Sequence, residues 1–147
     1  MALLSHIKFD DPTNFLKDEV AGAIWTKYHE PTFIEGKPFK GYALCTPPEK
    51  KAALFGTLPV AIIGDITLEV WVYPKTPKAD EGILVATANE NYWTTSATDY
   101  KTVAITEKGC WSGSGAFNSP HTQQKDIWIH KAFVRKGNKY YYFVDGK

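Results

Sequence analysis

The stretch Asp65-Ile66-Thr67-Leu68-Glu69-Val70-Trp71-Val72-Tyr73 decides the fold. Ile66, Leu68, Val70 and Val72 recur at every second position, and Thr67, Glu69, Trp71 and Tyr73 occupy the positions between. A period of two places the first set on one face of a β-strand and the second set on the other. One face is aliphatic and suited to a core; the other is polar and aromatic. Pro74 has no amide proton to give to a ladder and ends the strand, and Pro77 keeps the following loop open.

Working outward, further short runs read as strands. Leu3 to Phe9 is closed by Asp10-Asp11-Pro12, Phe39 to Cys45 by Pro47-Pro48, and Val60 to Ile63 by Gly64-Asp65. Ile83 to Ala88 and Lys101 to Thr106 follow, and Ile127 to Arg135 with Tyr140 to Val144 form a final pair. Gly137-Asn138 between the last two fits a two-residue hairpin turn that needs positive φ. Helix signals are confined to Asn14 to Val20 and Glu49 to Phe55, one turn each. Many short strands punctuated by Gly and Pro, with no long amphipathic helix, predict an all-β antiparallel two-sheet β-sandwich rather than a βαβ fold.

The 147 residues suffice for one domain, 1–147, with a sizeable core. Net charge is +1 and gives no electrostatic footprint for nucleic acid or a membrane surface. With 44% apolar and 22% charged residues the composition is that of a folded domain, and no apolar run reaches the length of a membrane-spanning helix. The N-terminus Met1-Ala2-Leu3-Leu4-Ser5-His6 lacks the basic region, apolar stretch and cleavage site of a secretion leader. That leaves two routes open: no export by that path, or a leader already removed. Cys45 and Cys110 make no metal motif and are too few for a disulfide scaffold.

Five segments in order resemble the laminin-G-like jelly rolls of the concanavalin A-like lectin/glucanase superfamily. They are Leu4-Ser5-His6-Ile7-Lys8-Phe9-Asp10; Phe15-Leu16-Lys17-Asp18-Glu19, with the short strand around Ile24 that follows; and Gly36-Lys37-Pro38-Phe39 with Gly41-Tyr42-Ala43-Leu44. The fourth is Asp65 to Val72, where Thr, Glu and Trp share a face. The fifth is Trp128-Ile129-His130 with Arg135-Lys136-Gly137-Asn138 and then Tyr142-Phe143-Val144-Asp145-Gly146. The resemblance implies a jelly roll that is mostly non-catalytic and binds glycans or proteins, with divergent members on bacterial surfaces and in phage tails. A virion or cell-surface location is what it implies for this chain.

One departure stands out. In the family, Asp-Gly turns the chain into further strands, whereas here Asp145-Gly146 is followed by Lys147 alone. The sandwich is therefore expected to lack its C-terminal strands. The chain is a fragment, or another copy supplies strands by exchange or augmentation, or the sheets close differently.

The glucanases among these sandwiches place two glutamates around an aspartate on one strand, as Glu-x-Asp-x-x-Glu, so that one carboxylate attacks and the other donates a proton. No such spacing occurs here; Asp65, Thr67 and Glu69 alternate onto one face with only two acids among them, and Glu69 is expected to pair with a neighbouring cation or backbone group. No Gly-x-Ser-x-Gly elbow exists, and His6, His29, His121 and His130 are scattered. His130 reads as a partly buried structural histidine. The sequence predicts no enzyme and no obligatory cofactor. Calcium is the one ion the resemblance raises, with Asp10-Asp11, Asp80-Glu81 and Asn89-Glu90-Asn91 as oxygen donors that read more simply as turn formers.

Sugars are held by stacking pyranose faces on flat aromatics while polar groups fix the hydroxyls. The segment from Asn89 to Phe117 has this mixture, with Tyr92, Trp93, Tyr100, Trp111 and Phe117 among Asn, Thr, Ser and Gly. Tyr92, Trp93, Tyr100 and Trp111 are the expected ligand-binding residues, on loops or strand edges that include Gly109 to Gly115. Trp25, Trp71 and Trp128 are assigned to packing. The expected partner is a glycan or a surface protein. The competing reading is a structural or assembly module that acts through open sheet edges, as a homo-oligomer or by strand exchange; a glycoside hydrolase comes third.

Overall fold

The computed structural model describes residues 3–9, 11, 13–20, 22–36, 41–45, 53–58, 64–75, 83–86, 103–106, 109–112, 115–118 and 124–147. Among them every regular element is a strand and every pairing is antiparallel. The chain forms two compact units, Met1–Ala61 and Ile62–Lys147.

The first unit contains two two-stranded ribbons. β1 (Ile24–Tyr28) pairs with β4 (Ala53–Thr57), and β2 (Thr32–Glu35) pairs with β3 (Tyr42–Cys45). In the first ribbon Trp25 stands opposite Gly56. A Cβ at position 56 would lie 2.6 Å from Cε2 of the Trp25 indole, so the glycine is what lets the ring lie flat on the neighbouring strand. The Trp25 indole N–H also donates to Asp18 at 3.2 Å, in keeping with the packing role expected for this tryptophan. The second ribbon gathers an aromatic cluster: the rings of Phe15 and Phe33 stack with centroids 4.1 Å apart, and Tyr42 meets Phe15 edge-on at 5.0 Å.

Two expectations for this unit need correction. Leu3 to Phe9 is not a strand; it makes a single bridge, Ile7 to Asp18. Its partner is a side chain rather than a ladder, because the Asp18 carboxylate accepts from the Ser5 hydroxyl and from the backbone N–H groups of His6 and Val20. The helical turn expected over Glu49 to Phe55 does not extend past residue 52, because Ala53–Thr57 is strand β4; residues 49–52 lie outside the described residues. Pairing with β1 outweighs the weak helix preference of that segment. Asn14 to Val20 begins as successive turns, with Asn14 N–H donating to Asp11 C=O and Lys17 N–H to Asn14 C=O. Val60 to Ile63 lies outside the described residues.

The second unit contains two larger sheets. One has three strands in the order β11 (Lys139–Val144), β10 (Ile129–Lys136), β5 (Ile66–Val72). The other has four in the order β6 (Ile83–Ala86), β7 (Val103–Thr106), β8 (Gly109–Ser112), β9 (Gly115–Asn118). Within the segment expected as loop or strand edge, Gly109–Ser112 is strand β8 and pairs with β9, Ser112 standing opposite Gly115.

The core of this unit follows from the alternation that marked β5. Ile66, Leu68, Val70 and Val72 stand opposite Arg135, Phe133, Lys131 and Ile129 of β10, so all eight share the inner face. Phe133 is completely buried and clusters with Ile66, Leu68, Val70, Tyr140 and Tyr142. Ile105 of β7, also completely buried, joins the same cluster, so the four-stranded sheet reaches the core through β7. This is the two-layer solution for sheets that each have one apolar face.

The β10–β11 hairpin closes through Gly137-Asn138, with Lys136 opposite Lys139. Gly137 has φ +57°, and Asn138 is not in the left-handed region, the pattern of a type II′ turn. Side chains then tie the turn to the start of β5. The Gly137 N–H donates to the Asp65 carboxylate at 2.7 Å, and the Arg135 guanidinium donates to the Gly64 carbonyl, through Nε at 2.8 Å and also through Nη2. Asp65 is thereby taken up in holding the hairpin.

Candidate functional site

If the inner face of β5, β10 and β11 is core, the alternate residues form the outer face, and the strand register places them in rows. Thr67, Val134 and Tyr141 form one row; Glu69, Ala132 and Phe143 the next; Trp71 and His130 the third. Tyr73 and Trp128 continue the series just beyond the strand ends, with ring centroids 5.5 Å apart. Tyr141 and Phe143 stack along β11 at 6.5 Å. The outer face is therefore an aromatic surface interrupted by a few polar groups.

Trp71 is the centre of this surface. It is 46% exposed, which corrects its assignment to packing. The reason is visible in the strand itself: Trp71 alternates with Thr67 and Glu69, not with the buried aliphatic residues. Its ring lies 5.0 Å from that of His130, inclined by 37°. The imidazole is the more buried of the two and supports one edge of the indole. Trp128, half-buried against Tyr73, keeps the packing role expected of it.

Glu69 borders the same patch. Its Oε2 is 3.9 Å from Nε2 of His130, an ion pair whenever the imidazole is protonated. The side chain that Glu69 approaches is thus His130, two residues along and one strand over. The carboxylate itself is 61% exposed and open to a ligand. The backbone of His130 is fixed from the other side. Its N–H donates to the Asp145 carboxylate at 2.9 Å, and the Asp145 N–H donates back to the His130 carbonyl at 2.9 Å. Asp145 has φ +49°, so the chain bends sharply where this clamp forms.

The residues nominated from the sequence are not among those described on this face. Tyr92, Trp93 and Tyr100 are outside the described residues. The backbone of Trp111 is in β8, opposite Ala104 of β7 and Ala116 of β9, which makes it a strand residue in the interior of the four-stranded sheet. Of the oxygen donors considered for calcium, Asp11 accepts from the Thr13 N–H at 2.9 Å and from its hydroxyl at 2.6 Å, and these bonds hold its carboxyl below the ordinary range. It forms an Asx turn, as its sequence context suggests. Asp10, Asp80, Glu81 and residues 89–91 lie outside the described residues. Cys45 is a free thiol.

A hollow of about 150 Å³ in the first unit is lined by Lys8, Phe9, Asp11, Asn14, Lys17 and Glu19. Its charges are mutually engaged: Glu19 is 3.9 Å from Lys8 and 3.7 Å from Lys17.

The strands that carry this face lie within a match to a known family. A laminin-G-type family model, described as the concanavalin A-like lectin/glucanases superfamily, matches residues 50–147, more than half of the chain. The chain belongs to that superfamily. As a concanavalin A-like chain it sits in a group whose description covers both sugar-binding lectins and sugar-cleaving glucanases. Searches of curated proteins and of solved structures return no match.

Proposed function

We propose that this chain is a non-catalytic binding module for carbohydrate, with the outer face of β5, β10 and β11 as its binding surface. The observation that carries the reading is the exposed Trp71 indole, braced by His130 and bordered by the open Glu69 carboxylate. A flat exposed ring gives a pyranose its stacking partner, and an adjacent carboxylate accepts hydroxyl hydrogen bonds. Membership in a superfamily of lectins and glucanases supports a sugar over other ligands.

The non-catalytic half rests on β5. Glu69 is flanked on its face by Thr67 and Trp71, where a glucanase strand needs a second and third acid. Asp65, the other acid nominated on that strand, accepts from Gly137. Tyr92, Trp93, Tyr100 and Trp111 are proposed, on sequence grounds alone, as a separate set of ligand contacts.

Titration calorimetry against a panel of neutral gluco-, galacto- and manno-oligosaccharides tests the reading. Trp71→Ala is expected to weaken binding at least about tenfold, the loss of roughly 1.4 kcal/mol that a central aromatic contact carries. Unchanged affinity in that variant would remove the outer face as the site. Release of reducing ends that Glu69→Gln abolishes would make the protein a hydrolase.

A further inference from the structure

We infer that the outer face selects sugars bearing a free amine, a polymer or oligomer of unacetylated hexosamine, over neutral or acidic sugars; this rests on the carbohydrate-binding reading above. The argument is the distribution of charge around Trp71. The side chain that shares its face one step along β5 is Glu69, a 61% exposed carboxylate. Just past the end of β11 lies the exposed carboxylate of Asp145, bonded to the backbone N–H of His130.

Among the described residues no lysine or arginine shares the outer-face rows of Glu69 and Trp71. Arg135 belongs to the inner-face series and donates to the Gly64 carbonyl. Lys131 is also on the inner face and is buried. Lys125 pairs with Asp126 at 3.9 Å, and Lys75 follows Pro74 off the end of β5. The next outward cation along β10 is Lys136, about 20 Å from His130 at the rise of an extended strand. His130, its Nε2 directed toward Glu69, is the one titratable base in the patch among the described residues.

An ammonium group on a sugar stacked at Trp71 meets two attractions at once. The indole face attracts cations, and Glu69 accepts a charge-assisted hydrogen bond. A neutral hydroxyl gains only an ordinary hydrogen bond there, and a uronate or sialate carboxylate meets Glu69 as a like charge. At exposed sites these terms are modest, so the preference is a matter of several-fold rather than orders of magnitude.

The test compares a glucosamine oligomer, its fully N-acetylated form and the matching neutral gluco-oligomer in calorimetry with the full chain at low salt. The free-amine oligomer is expected to bind about three- to fivefold more tightly than the neutral one, with the advantage shrinking as salt is added. Glu69→Gln is expected to erase that advantage, weakening the free-amine oligomer several-fold more than the neutral one. Equal affinity for amine and neutral oligomers, or equal weakening of both by Glu69→Gln, would overturn the inference; neutral binding that still depends on Trp71 would then leave the carbohydrate reading standing. Binding of none of the three overturns both.

Discussion

Trp71 on β5 and His130 on β10 stand directly opposite each other across an antiparallel ladder, their rings 5.0 Å apart. Directly opposed side chains on one sheet face are the unit by which sheets are stabilised, and here the pair also leaves an indole in solvent. Its placement follows from the strand register: the opposite face of the same two strands holds Leu68 against Phe133 in the core. The alternation that buries one set of residues presents the other.

That core sets the first expectation. Phe133 is completely buried and central to the cluster that includes Ile66 and Ile105. Phe133→Ala is expected to cost about 3–5 kcal/mol, the range for removing a buried aromatic ring and leaving its cavity. Urea unfolding measures it; a loss under about 1 kcal/mol would mean that the two sheets do not share this core.

The β10–β11 turn is a second point of control. Gly137→Ala forces a side chain into a left-handed conformation at φ +57°, in a turn also fastened to Asp65. The expected cost is about 1 kcal/mol, and space is not the cause, since a Cβ there meets nothing within 4 Å. A variant as stable as the parent chain in thermal unfolding would contradict the turn geometry.

Gly56 offers the converse case, where space rather than φ is decisive. Its Cβ would stand 2.6 Å from the Trp25 ring. Gly56→Ala is expected to displace the indole and destabilise the first unit by about 1–3 kcal/mol, as overpacking does. Because Trp25 also donates to Asp18, its indole N–H resonance should shift in the variant. An unmoved resonance with unchanged stability would show that the ring does not lie on the glycine.

Asp18 gives the chain a pH dependence whose sign can be worked out. Burial pushes its carboxyl up, but hydrogen bonds from Ser5, His6, Val20 and Trp25 outweigh burial and hold it at about 2, below the ordinary 3.8. A carboxylate with a depressed pKa stabilises the fold fully above its unfolded value. That contribution fades as pH falls from 3.8 toward about 2. Discounted for partial exposure, it amounts to about 1 kcal/mol. The stability gap between the parent chain and Asp18→Asn should therefore narrow across that window; a gap that stays constant to the acid end would remove the linkage.

How far the sequence carried these conclusions depended on whether the relevant contacts were local. Strand β5 was legible because its alternation is complete over seven residues, and the final hairpin because Gly-Asn separates two strand-forming runs. Strand β4 was not, since Glu49 to Phe55 is rich in helix-favouring Lys, Ala and Leu. Its identity comes from pairing with β1, in which Gly56 accommodates a tryptophan 31 positions earlier (56 − 25). Leu3 to Phe9 looked like a strand and is held instead by the side chain of Asp18. Trp71 was placed on the correct face of β5 yet read as packing. The alternation with Thr67 and Glu69 already marked it as outward, and it was the general expectation that tryptophan is buried that misled.

The most direct measurement follows the tryptophan indole N–H resonances in a nitrogen-labelled chain during titration with a bound oligosaccharide, each assigned by single Trp→Phe variants. Saturable movement of the Trp71 resonance is expected, with the Trp25 resonance in the first unit unmoved. A bound sugar that leaves Trp71 unshifted, with changes confined to Trp93 and Trp111, would contradict the outer face as the binding surface.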